Sequence, residues 1–163
     1  METKTHWPYY PIFLRLDGER VLVVGGGEVA ARKVRLLSRS GAKLEIAAAE
    51  LNPELKKMAD AGALRWLGRE FDPAQLAGCR LAIAATDDEA LNARVSAEAQ
   101  KLSIPVNAVD DLAHSTFITP AIVDRSPLLV AISTSGAAPV LARRMREQIE
   151  KLVPAAYEIG RES

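Results

Sequence analysis

The sequence predicts an α/β fold: a doubly wound parallel sheet followed by a small C-terminal β/α appendage. Three observations carry that expectation. Apolar runs of strand length alternate with helical patterns from residue 20 onward, a glycine-rich turn joins the first strand to the first helix, and the alternation stops after about residue 112. Strand–helix–strand alternation with short connections implies parallel pairing through right-handed crossovers.

Each element has a local reason. Arg20 to Val24 is a near-continuous apolar run, as expected of a strand buried on both faces. Glu28 to Ser38 places Ala30, Val34 and Leu37 on one helical face, and Gly41 follows as a stop that tolerates positive φ. Lys43 to Ala49 is a second strand. Asn52-Pro53 opens a helix, Asn as the cap and Pro where no N–H is missed, which runs to about Ala61 before Gly62. Leu64 to Leu67 is a third strand. Asp72-Pro73 repeats the start signal for a brief helix, and Arg80 to Ala85 is a fourth strand. Asp88 to Leu102 is a helix with Leu91, Val95 and Ala99 on one face, and Pro105 to Val109 is a fifth strand. Beyond about residue 113, Thr116 to Thr119 and Leu128 to Ser133 are expected as strands separated by the Pro120–Pro127 segment. Pro139 to Leu152 is expected as a final helix. The aromatic residues Trp7, Tyr9 and Tyr10 are expected to pack an N-terminal arm onto the sheet.

Composition narrows the function. The 163 residues are 48% apolar and 26% charged, which excludes disorder for the bulk of the chain. Lys+Arg and Asp+Glu both number 21, so neither a nucleic-acid coat nor a polybasic membrane anchor is expected. A single cysteine, Cys79, excludes a disulfide framework and any multi-cysteine metal site, and no His/Cys cluster marks a bound metal. The longest apolar run, Leu128 to Ile132, is far short of a membrane span. With no signal-peptide pattern at the N-terminus, the expected location is a reducing compartment, the cytoplasm.

The first turn reads Gly25-Gly26-Gly27-Glu28-Val29-Ala30, a G-x-G-x-x-A string directly after a strand and opening a helix. Gly25 permits the tight turn, Gly27 lets the backbone approach a pyrophosphate, and Ala30 keeps helix and strand close. The first helical N–H groups and the positive dipole end then face phosphate oxygens. In a Rossmann-like sheet this points to a dinucleotide. An acidic residue near the end of the second strand should take the ribose hydroxyls. Glu50 fits, 23 residues after Gly27, with Glu45 as a competitor. No Arg or Lys lies between Lys43 and Glu50, which favours NAD over NADP. Ligands of such sheets bind outside the carboxyl ends of the strands. There lie Thr86 with Asp87 and Asp88 after strand four, and Asn107 with Asp110 and Asp111 at strand five. Asp88 reads as a helix cap. Asp110, with no strong helical pattern after it, is either a general acid or base or a loop-stabilising carboxylate.

The strings VLVVGGGEVAARKVRLL, LAIAATDD, PVNAVDD and STFITPAIVDRSPLLVAISTSGAAPVLARRMRE resemble the N-terminal module of siroheme synthases and the stand-alone precorrin-2 dehydrogenases, from about Tyr10 to Leu152. The resemblance implies NAD-dependent oxidation of precorrin-2 to sirohydrochlorin, with Fe2+ insertion as a further step in which iron is a substrate. It places NAD contacts on Glu28, Val29, Ala49 and Glu50, and the essential aspartate on Asp110. It puts Thr134 where the family carries a modifiable serine. It further implies an NAD-binding domain over 1–112, a homodimer-forming segment over 113–152, and a truncated helical region beginning at 153–163. The nicotinamide is then expected near Thr86 and Asn107. The substrate's eight carboxylates call for arginines, with Arg125, Arg143, Arg144 and Arg146 as candidates beside the ordinary reading of a solvated face. His114 reads as a loop histidine. Rival readings are a non-catalytic NAD-sensing module, which needs no Asp110, and an S-adenosylmethionine methyltransferase, which binds no pyrophosphate.

Overall fold

The computed structural model describes residues 7–153. Their contacts divide the chain into two compact units, one of residues 11–117 and one that includes residues 118–153.

The larger unit is a five-stranded parallel sheet in the order β3-β2-β1-β4-β5. Its strands are β1 (Arg20–Val24), β2 (Lys43–Ala47), β3 (Arg65–Gly68), β4 (Cys79–Ala84) and β5 (Val106–Ala108). Between them run α1 (Glu28–Leu37), α2 (Pro53–Asp60) and α3 (Glu89–Lys101), with a 3-10 helix, Pro73–Leu76, in the β3–β4 crossover. The alternation of strand side chains splits the core in two. Val21, Val23, Leu44, Ile46 and Ile83 pack with Ala30, Val34 and Leu55 from α1 and α2. Leu22, Val24, Ala82 and Ala84 pack on the other face with Val95 and Ala99 of α3 and Leu76 of the 3-10 helix. Covering both faces is what lets the strands be apolar throughout.

Helix starts follow their caps. The Asn52 side chain accepts from the Leu55 amide at 2.9 Å, and Asp88 accepts from the Leu91 amide at 3.0 Å. Asp72 and Gln75 form a reciprocal capping box. Gly41 adopts φ +74 after α1 and a following 3-10 turn.

The smaller unit holds an antiparallel pair, β6 (Ala121–Arg125) and β7 (Leu128–Ile132), and α4 (Pro139–Leu152). The strand expected at Thr116–Thr119 is not formed. Those residues are held elsewhere: the Thr116 amide donates to the Val106 carbonyl at 2.8 Å, and Thr116 Oγ1 accepts from the Val106 amide at 2.9 Å. The segment therefore seals the open edge of β5, and the strand partner of β7 begins five residues later than expected. Of the aromatic residues expected to pack an arm onto the sheet, Trp7 and Tyr10 are 75% and 83% exposed. Of the expected 153–163 region, only Val153 lies among the described residues.

Candidate functional site

A cavity of about 670 Å³ opens at the carboxyl ends of β1, β2, β3 and β4. Its floor is the Gly25–Val29 turn, and its walls are Ala47–Glu50, Arg69–Phe71, Ala85–Asp87, Leu91 and Arg94. Of the residues expected at the site, Gly25, Gly26, Gly27, Glu28, Val29, Ala49, Glu50 and Thr86 all meet here.

The three glycines do different work. Gly25 has φ +122, and a β-carbon there would lie 2.1 Å from the Ala85 carbonyl oxygen. Gly26, an unspecified position in the sequence motif, is as constrained: a β-carbon on it would lie 1.8 Å from the Glu50 carbonyl oxygen, and its own carbonyl accepts from the Asn52 amide at 2.8 Å. Strand ends β1, β2 and β4 thus converge on backbone that tolerates no side chain. A β-carbon on Gly27 meets nothing within 4 Å. No side chain caps α1 at Gly27, so the first amides of the helix are uncapped on the side of that open space. This is the cradle a pyrophosphate needs: bare amides, the positive helix end and space that a side chain would fill. The residues fit a dinucleotide.

Glu50 is exposed at the cavity wall. Glu45, the competitor for the ribose, is excluded by its surroundings. It is 5% exposed, accepts from Arg20 Nε at 3.0 Å, and pairs with Arg65 at 3.3 Å. The Glu45 hydrogen bond holds the Arg20 guanidinium pKa above its ordinary value. Glu45 is committed to the middle of the sheet and is not available to a ligand. Thr86 is fixed through Oγ1, which donates to Asn92 Oδ1 at 2.8 Å, and Asn92 Nδ2 donates to the Thr86 carbonyl at 2.9 Å. Buried Asn92 on α3 thereby sets the β4–α3 turn.

Asn107 and Asp110 do not line this cavity. Asn107 is 8% exposed, and its amide donates to the Phe117 carbonyl at 3.1 Å, which holds the edge-sealing segment in place. Asp110 is exposed in the turn after β5 with φ +60, a left-handed conformation that aspartate tolerates better than most residues. Lys33 of α1 lies within electrostatic reach of it. Burial pushes the Lys33 ammonium below its ordinary range, and the Asp110 charge works in the opposite sense. Its neighbour Asp111 is differently engaged, with Oδ2 2.6 Å from His114 Nδ1. The hydrogen bond from His114 lowers the Asp111 carboxyl below its usual value.

In the smaller unit, Arg125 gives its guanidinium to the carbonyls of Asp124, Glu150 and Val153 at 3.0–3.3 Å, tying β6 to the end of α4. Arg143 and Arg144 are exposed, and Arg146 pairs with Glu150 at 3.6 Å. Thr134 Oγ1 accepts from the Ala138 amide at 3.1 Å, just before α4.

Sequence reasoning missed Arg69, Phe71 and Arg94. The Arg94 guanidinium lies 5.7 Å from the centroid of the Phe71 ring. Neither residue belongs to a local motif; each arrives at the cavity through a different crossover. The one cue was position, since Arg69 directly follows a strand.

With this geometry in view, comparison with known proteins is decisive for the family. A family model described as putative NAD(P)-binding matches residues 12–121. The chain belongs to that NAD(P)-binding family. A second model, described as sirohaem biosynthesis protein central, matches residues 125–152. The chain is 57% identical over 148 residues to a siroheme synthase of Photorhabdus laumondii and 52% identical over 149 residues to one of Chromobacterium violaceum, covering 91% of this chain in each case. It spans about a third of the length of these relatives (32%). Among solved structures it is similar to SirC, a precorrin-2 dehydrogenase, with a TM-score of 0.74 and 28% identity, covering 90% of this chain and 72% of that one. No helix among the described residues is long and apolar enough to cross a membrane.

Proposed function

We propose that this chain oxidises precorrin-2 to sirohydrochlorin with NAD+ in the cytoplasm, and that Fe2+ insertion into sirohydrochlorin follows on the same chain, with iron as substrate. The observation that carries the reading is the likeness, over nine-tenths of the chain, both to siroheme synthases and to a solved precorrin-2 dehydrogenase. The cradle at Gly27 supports its first requirement.

NAD+ bound at the cavity supplies the hydride acceptor. The chain's own residues do the rest. The amides from Gly27 to Val29 hold the pyrophosphate, Glu50 accepts from the ribose hydroxyls, and Ala49 and Thr86 shape the walls. Asp110 takes the proton released as the macrocycle gains conjugation, and a carboxylate exposed to solvent can pass it on. Asn107 positions the segment after β5. Arg143 and Arg144, exposed and without an ion pair among the described residues, are the carboxylate clamps; Arg125, bound to three carbonyls, contributes chiefly to the end of α4. Residues 113–152 form a homodimer contact, supported by the exposed Leu128, Leu129, Val140, Leu141 and Met145. Thr134 is the modification site, and a phosphate there displaces the bond from the Ala138 amide.

Mixing the protein with precorrin-2 and NAD+ tests the reading through absorbance at 340 nm. NADH formation that disappears in Asp110→Ala, with nucleotide binding retained, is the expected result. Nucleotide binding without any NADH would instead favour the sensing module.

A further inference from the structure

Glu50 and Arg69 reach the cavity from neighbouring strands. Ala47 of β2 pairs with Gly68 of β3, and the Ala48 amide donates to the Gly68 carbonyl at 3.0 Å. Past that last rung the two chains continue as Ala49–Glu50 and Arg69–Glu70, and all four residues line the cavity. Taken alone, the β2 segment offers an acid and no cation, which favours a free ribose 2′-hydroxyl. The sheet adds a cation from the next strand. Arg69 is exposed and makes no hydrogen bond or ion pair among the described residues. The other cavity arginine, Arg94, is seated over Phe71.

We propose that Arg69 is a 2′-phosphate ligand, so that the choice between NAD and NADP is set by the Glu50–Arg69 pair and not by Glu50 alone. The proposal rests on the dinucleotide reading of the cavity. A carboxylate at Glu50 accepts from a 2′-hydroxyl and repels a 2′-phosphate. A guanidinium presents a planar fork that matches two phosphate oxygens. The remaining carboxylates at the cavity, Glu28, Glu70 and Asp87, oppose added negative charge, so NAD+ stays the preferred ligand while NADP+ remains bindable.

The test is calorimetric titration of NAD+ and NADP+ into the full chain and its R69A and E50Q variants, read as the ratio of NADP+ to NAD+ affinity. The ratio is expected to fall about tenfold in R69A and to rise about tenfold in E50Q, the scale of one charge-assisted contact. The pair 2′,5′-ADP and 5′-AMP should repeat the pattern without the nicotinamide half. An unchanged ratio in R69A overturns the proposal, and so does a chain whose E50Q variant still binds no NADP+. Failure to bind either dinucleotide would instead overturn the cavity reading itself.

Discussion

The carbonyl oxygen of Ala85 lies 2.1 Å from the point that a β-carbon on Gly25 would occupy. Backbone from the end of β4 therefore closes over backbone from the end of β1, and with Gly26 against Glu50 the glycine turn is walled by main chain.

Gly25→Ala and Gly27→Ala should consequently fail in different ways. Gly25→Ala meets a rigid carbonyl at φ +122 and is expected to cost about 3 kcal/mol or more, seen as a lower Tm. Gly27 has φ −86 and open space, so Gly27→Ala should melt within about 0.5 kcal/mol of the parent. Its methyl group nevertheless occupies pyrophosphate space, and calorimetry should show dinucleotide affinity reduced about tenfold or more.

The two acids of the β2 segment should separate cleanly. Glu45→Ala removes the buried acceptor that Arg20 and Arg65 share, both of which keep access to solvent, and is expected to cost roughly 1–3 kcal/mol in denaturant unfolding. Glu50→Ala, at an exposed position, should cost under about 0.5 kcal/mol and act on nucleotide binding instead.

Asp111 and His114 predict a pH effect at the acid end. The Asp111 pKa is depressed in the folded protein, chiefly by the hydrogen bond from His114. Its contribution to stability is therefore complete above the unfolded carboxyl value of about 4 and is lost as pH falls through the lower folded value. His114→Ala should move the Asp111 titration up toward the ordinary carboxyl range in NMR and weaken that pH dependence, while the amide of residue 114 still donates to the carboxylate.

Cys79 should be inert. It is buried at the start of β4 with Sγ 3.3 Å from the Gln75 carbonyl, and burial pushes its thiol pKa up. A thiol reagent should react with the native chain at least about a hundredfold more slowly than with the unfolded chain.

Local chemistry made much of the site legible in advance. The glycine turn, Glu50 and Thr86 each follow closely on an apolar run of strand length, and the caps at Asn52, Asp72 and Asp88 act within three residues of themselves. Errors came where a residue's partner is distant. Thr116 looked like the start of a strand, yet its hydroxyl and amide belong to Val106. Glu45 looked like a rival ribose ligand until Arg20 and Arg65 surrounded it.

From the order of residues alone came the doubly wound sheet, the helix boundaries and the glycine turn after β1, because periodicity, capping and glycine conformations act over a few residues. Tertiary structure alone decided which charges share the cavity. It carried Glu45 into the sheet and brought Arg69 to the cavity that Glu50 lines, because parallel strand pairing joins residues that the chain separates by a whole crossover.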